Sequence, residues 1–131
     1  MKPSVLYLDD EQCCLDVFRE TFDREYDVRT ASTPEEARRM LAARPADVVI
    51  SDESMPDISG KAFIAEVAAA YPSAYRVLLT GSLTVGGALH EISAGVVQAF
   101  VAKPWNRNDI QRVMERGQAD EEWRQRSVAF D

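Results

Sequence analysis

Five short apolar runs, each followed by a stretch with helical spacing, constrain the fold of this chain more than any other feature. The most telling run is Val48-Val49-Ile50-Ser51, in a strand expected over 47–51 that leads into Asp52. Three β-branched apolar residues in succession read as a strand buried on both faces, the habit of strands inside a parallel sheet. The run stops on a carboxylate, and beyond it lies a loop with Met55-Pro56 and a Gly60 ahead of the next helical pattern. A second run, Ser4-Val5-Leu6-Tyr7-Leu8, also ends on carboxylates, Asp9-Asp10-Glu11. Residues 26–30, 75–79 and 97–102 supply the other three strands, the last two leading into Thr80-Gly81-Ser82 and Lys103-Pro104-Trp105.

The intervening segments read as helices. Leu15, Phe18 and Phe22 form one buried stripe on a helix over 12–24. Thr33-Pro34-Glu35-Glu36 is a helix start, with Thr33 as N-cap, Pro34 at the first helical position and Glu36 completing a capping box; Pro45 ends that helix. Its Glu35-Glu36 and Arg38-Arg39 read as a solvated face. Ser59 caps a helix over 60–71 that turns Phe63, Ile64 and Val67 inward. Residues 85–93 form a weaker helix, since Gly86 and Gly87 are poor helix formers, and this segment is expected to be the most mobile. A last helix begins near Asn106 or Asn108 and buries Ile110, Val113 and Met114, with the stripe stopping at Gly117. Helix-favouring polar sequence continues through 119–126, and Trp123, Val128 and Phe130 have no evident place in the core. Five β-α units with short connections predict an α/β fold: a five-stranded, doubly wound parallel sheet with five helices.

The 131 residues fit one domain, and a net charge of −7 opposes broad attraction to a phosphate backbone. No apolar run reaches membrane length and no signal peptide is evident, so a cytoplasmic protein is expected, without direct nucleic-acid or membrane partners. The adjacent Cys13 and Cys14 have diverging Cβ vectors on a helix, which disfavours a structural disulfide, and the CxxC metal spacing is absent. The single His90, expected on a helix surface, excludes a multi-histidine metal centre.

In a doubly wound sheet the strand ends converge on one edge, where ligands bind. Here they bring Asp9, Asp10, Asp52, Thr80 and Lys103 together. Carboxylates that close repel and raise one another's pKa, unless a hard divalent cation neutralises them. Mg2+ suits such a site, because it takes one or two carboxylates and otherwise water or phosphate oxygens. A cation, a lysine and a hydroxyl around one carboxylate would stabilise charge on a transferring phosphoryl group. Plainer readings exist for single residues: Asp52 as a turn former, Lys103 as a surface lysine, Phe100 as core at a strand end.

Taken in order, these residues resemble the receiver domain of two-component response regulators over about residues 3–118. Asp9-Asp10 matches the acidic pair and Asp52 the phosphoacceptor. Met55-Pro56 and Gly60 match the loop that follows it, Thr80 the hydroxyl position, and Lys103-Pro104 the lysine before a cis proline. The resemblance implies a flavodoxin-like sheet in the order 2-1-3-4-5, with a receiver domain over 1–118 and a helical extension or linker over 119–131. It implies that Asp52 takes a phosphoryl group from a phosphohistidine on a sensor histidine kinase or phosphotransfer protein. Mg2+ would be held by Asp10, Asp52 and the Ser54 backbone carbonyl, with Asp9 acting through water. Lys103 and Thr80 would contact phosphoryl oxygens, and Thr80 and Phe100 would form the switch. A homodimer or a missing C-terminal output domain would receive the signal.

Four positions depart from the family pattern. Phe100 lacks a hydroxyl, Gly81 after Thr80 leaves one side of the site less shielded, and Ser54 and Ser82 are small and uncharged. Two other functions compete: a degenerate receiver acting as a protein-interaction scaffold, and a phosphohydrolase with a nucleophilic aspartate. The second usually needs another aspartate two residues after the nucleophile, where this chain has Ser54. The reading is therefore of a signalling module and not an enzyme, apart from self-phosphorylation and autodephosphorylation at Asp52.

Overall fold

A computed structural model describes residues 2–56, 58–81 and 95–129, with side chains to residue 118. The expected helix over 85–93, with Gly86, Gly87 and His90, lies outside the described residues, as do Ser82, Phe130 and the side chains of Trp123 and Val128. Five strands, β1 (Ser4–Leu8), β2 (Asp27–Ala31), β3 (Val48–Asp52), β4 (Tyr75–Thr80) and β5 (Ala99–Ala102), alternate with α1 (Gln12–Phe22), α2 (Pro34–Ala43), α3 (Gly60–Ala70) and α4 (Arg107–Ala129). All strand pairs are parallel, in the order β2-β1-β3-β4-β5. This is the doubly wound, flavodoxin-like sheet that the alternation predicts, with four of the five expected helices among the described residues.

Strand alternation sorts the core into two layers. Val5, Tyr7, Val48, Ile50, Val77 and Leu79 face α1 and α4, where they meet Leu15, Phe18, Phe22, Ile110 and Met114. Leu6, Leu8, Val49 and Leu78 point the other way, onto Leu41 of α2 and Phe63, Ile64 and Val67 of α3. The central strands are buried on both faces, which is why their sequences are continuous apolar runs. Burying a side chain of this size is worth about 1.5–3 kcal/mol.

Local signals place most boundaries. The Thr33 hydroxyl accepts from the Glu36 N–H at 3.2 Å and the Ser59 hydroxyl from the Ala62 N–H at 3.2 Å, so both expected N-caps form. The Asn106 side chain accepts from the Asp109 N–H at 3.0 Å and starts α4.

The structure also corrects the sequence reading. α1 stops at Phe22, two residues before the expected end, and the Tyr26 N–H donates back to the Phe22 carbonyl at 3.0 Å. Tyr26 thereby belongs to the turn and packs edge-on against the Phe22 ring. β5 begins at Ala99, because the Gln98 side chain takes the Arg76 N–H at 2.9 Å. Trp105 covers α1, its ring 5.8 Å from that of Phe18 and 6.3 Å from that of Phe22. Arg38 reaches from α2 to Glu66 of α3 in a two-pronged, half-exposed ion pair. The buried stripe of α4 continues to Gly117, where a Cβ would lie 2.8 Å from the Tyr75 ring. Gly117 is therefore a close-packing glycine inside a helix, and helical backbone runs on to Ala129.

Arg76, expected only as a strand residue, is buried at the opposite edge from the strand ends and donates to four carbonyls: Val96, Pro72, Ala74 and Gly95, at 2.7–3.1 Å. It ties the entry of β4 to the approach of β5.

Candidate functional site

Parallel strands that end together present their last residues side by side. Asp9 follows β1, Asp52 ends β3, Thr80 ends β4 and Lys103 follows β5. Backbone hydrogen bonds fix these ends: Asp9 N–H to Ala31 O at 3.1 Å, Glu53 N–H to Leu79 O at 2.9 Å, and Lys103 N–H to Thr80 O at 2.9 Å. One carboxylate oxygen from each of Asp9, Asp10 and Asp52 lies within 4.8 Å of the other two. Asp9 and Asp52 are buried and Asp10 is exposed.

Lys103 bridges the two buried acids. Its Nζ stands 3.4 Å from Asp9 Oδ2 and 3.3 Å from Asp52 Oδ1. Burial pulls the ammonium down, but the charges of Asp9 and Asp52 more than reverse this, so Lys103 titrates above the ordinary lysine range. Asp52 goes the other way. Burial and the neighbouring Asp9 charge raise its pKa despite Lys103 and the Ser54 N–H, which donates to Oδ1 at 3.4 Å. The arrangement thus holds a negative charge it does not fully neutralise, and a divalent cation with oxygen ligands would complete it. The donor set fits Mg2+: oxygen only, one ligand exposed and two buried.

Asp9 is the most firmly held member. Its Oδ1 accepts from the Glu11 N–H at 3.0 Å and its Oδ2 from the Tyr7 hydroxyl at 2.5 Å. Tyr7 is itself fully buried, and burial together with the Asp9 charge drives its pKa far up, so the phenol remains a donor. Sequence reading treats Tyr7 as a plain strand residue. The signal was available: a tyrosine two residues before an acid on the same strand shares its face, because side chains alternate with period two.

Thr80 is buried at the end of β4, in register with Ala102. Ser54 lines a cavity of about 630 Å³ with Asp10, Glu53, Met55, Pro56, Ile58 and Ser59, on the open side of the cluster. Phe100 is half-buried and packs on the α2–α3 layer. The Lys103–Pro104 peptide is cis. Gly60 sits where α3 passes the end of β3, and a Cβ there would lie 2.1 Å from the Asp52 carbonyl oxygen. Only glycine permits that approach.

A sequence model of the response regulator receiver domain matches residues 5–115. The hydrogenase transcriptional regulatory protein HoxA of Cupriavidus necator is 31% identical over 102 residues, covering 78% of this chain and 21% of that protein. The response regulator protein PilR of Pseudomonas aeruginosa is 28% identical over 104 residues, covering 79% of this chain and 23% of that protein. This chain therefore spans about a fifth of the length of these relatives. Among solved structures, a chemotaxis protein of Vibrio cholerae superposes with a TM-score of 0.80 at 26% identity, covering 88% of this chain and 98% of that one. The receiver domain of an HD domain-containing protein from Pseudomonas fluorescens has the same fold, with a TM-score of 0.83 at 24% identity over 93% of this chain and 98% of that one. The match over residues 5–115, on a fold whose strand ends gather these acids and this lysine, makes the chain a member of the response regulator receiver domain family.

Proposed function

We propose that this chain is a phosphorylatable signalling module in which Asp52 accepts a phosphoryl group from a phosphohistidine on a sensor histidine kinase or phosphotransfer protein. An Asp52 carboxylate oxygen forms the new O–P bond as the N–P bond of the donor breaks, and the imidazole nitrogen keeps the electron pair. The observation that carries this reading is the bridging of Asp9 and Asp52 by Lys103, at 3.4 and 3.3 Å, beside the exposed Asp10. Asp10, Asp52 and the Ser54 backbone carbonyl would hold Mg2+, with Asp9 acting through water. When bound, the ion would neutralise charge on the phosphoryl oxygens.

The residues of the chain do the rest. Lys103 exchanges a carboxylate for a phosphoryl oxygen, which explains why it begins between two acids. Thr80 donates to another phosphoryl oxygen, and Phe100, half-buried, repacks in response. Output follows through a homodimer or through a further domain, with the receiver unit over 1–118 and α4 running beyond it. The module is not an enzyme in its own right. A phosphohydrolase reading is weaker because Ser54 stands where its general acid would be needed.

The test is incubation with acetyl phosphate and Mg2+, read by intact mass. The chain gains one phosphoryl group, Asp52→Asn gains none, and Asp10→Asn binds Mg2+ more weakly by calorimetry. Labelling that persists in Asp52→Asn refutes the assignment, and a chain that is never labelled supports the scaffold reading instead.

A further inference from the structure

We infer that Glu11, Cys13 and Cys14 form a second cation site, suited to a soft or borderline divalent ion such as Zn2+ and separate from the all-oxygen cluster. One carboxylate oxygen and the two sulfurs lie within 4.8 Å of one another at the start of α1. The spacing is not that of a CxxC motif; the fold supplies the third ligand. Glu11 occupies the N-cap position yet makes no side-chain cap hydrogen bond. Its carboxylate instead accepts from the Cys14 thiol at 3.5 Å.

Two of the three ligands are already anchored. The Glu11 backbone is tied to Asp9 through its N–H, and its carbonyl accepts the first helical bonds, from the N–H groups of Cys14 and Leu15. Cys14 is half-buried against the α1–α4 layer, while Cys13 is exposed and free to turn. The two thiols are not joined to each other. Sulfurs in a tetrahedral zinc centre stand about 3.8 Å apart, for Zn–S bonds near 2.3 Å, so closure asks for a shift of about 1 Å at most. Beside the three ligands lies a groove of about 530 Å³, lined also by Val17, Lys103, Pro104 and Trp105, which leaves room for a water at the fourth position. Lys103, which lines the groove, would repel a cation there, but its ammonium is held at 3.4 and 3.3 Å by the Asp9 and Asp52 carboxylates.

Ligand softness separates the two sites. Thiolates select zinc and softer ions, whereas carboxylates and carbonyls select Mg2+. Each thiol releases its proton to water as its metal–sulfur bond forms. The six residues from Asp9 to Cys14 thus carry a hard site and a soft site in succession.

The reduced chain is titrated with Cd2+, without Mg2+, and followed by the ultraviolet thiolate-to-metal absorption. One Cd2+ per chain is expected, displaced by Zn2+ and accompanied by a change in tryptophan fluorescence from the groove. Cys13→Ser and Cys14→Ser each lose the absorption at matched concentration, and Glu11→Gln weakens binding about tenfold or more. Asp52→Asn leaves it unchanged, so the outcome is independent of phosphotransfer. An absent band, one ion shared by two chains, retention in Cys13→Ser, or equal affinity in Glu11→Gln each overturns the site.

Discussion

Replacing Gly60 by alanine sets one familiar gain against a steric cost, and the geometry decides the sign. Alanine at an unstrained site gains about 0.4–1 kcal/mol by restricting the unfolded chain. In this structure the new Cβ would lie 2.1 Å from the Asp52 carbonyl oxygen, 2.8 Å from its carbon and 2.8 Å from Glu53 Cα. Ordinary contact begins at 3.4 Å, so the backbone at the end of β3 must retreat by about 1.3 Å. Two hydrogen bonds oppose that retreat: Gly60 N–H to Glu53 O at 2.8 Å and Glu53 N–H to Leu79 O at 2.9 Å. Overpacking of this kind costs about 1–3 kcal/mol and each weakened bond about 0.5–1.5 kcal/mol. The net expectation is a loss of about 2–4 kcal/mol, read as a lower urea midpoint at unchanged slope. Gly81→Ala, whose Cβ meets no described atom within 4 Å, is the control and should stay within about 0.5 kcal/mol of the parent. Because the displaced atoms belong to Asp52, labelling by acetyl phosphate should slow in Gly60→Ala even where the protein is folded. A Gly60→Ala chain as stable as the parent would refute this reasoning.

Three further outcomes follow from the same geometry. Tyr7→Phe removes the hydroxyl from a fully buried Asp9 and should cost about 1–3 kcal/mol in thermal or urea unfolding; an unchanged midpoint would mean that the bond contributes nothing. Gly117→Ala should destabilise despite a helix preference for alanine of about 1 kcal/mol, because the Tyr75 ring occupies the space; a gain in stability would contradict the packing. Asp52 has a raised pKa, so the folded chain holds its proton more tightly than the unfolded one, and metal-free stability falls as pH rises from the ordinary carboxylate range through that raised value. Asp52→Asn should therefore be more stable than the parent at neutral pH, with the advantage fading in acid; an advantage that grows on acidification would reverse the sign.

Much of the architecture was legible because it rests on local patterns. The apolar runs of β1, β3 and β4 are continuous because both faces are covered, and the caps at Thr33 and Ser59 are written in the residues that form them. The gathering of Asp9, Asp10, Asp52 and Lys103 follows from strand ends in a parallel sheet, so topology alone brings them together. What escaped was set by contacts between distant segments. Tyr7 looks like any strand tyrosine until Asp9 is seen buried beside it, and Gly117 looks like a helix breaker until Tyr75 fills its place. Trp105 joins α1 because the aromatic rings of Phe18 and Phe22 receive it, and neither is near it in sequence. Arg76 reads only as part of a strand, yet it is buried, and carbonyls from two other segments make that burial tolerable.

The central claim is that Asp52 carries the phosphoryl group. An aspartyl phosphate is an acyl phosphate, which borohydride reduces to the alcohol, converting that one aspartate to homoserine. The chain is treated with acetyl phosphate and Mg2+, quenched with borohydride, digested and mapped by peptide mass. Homoserine at position 52, and only when Mg2+ was present, is the predicted result. Homoserine at Asp9 or Asp10 with Asp52 intact would contradict the account.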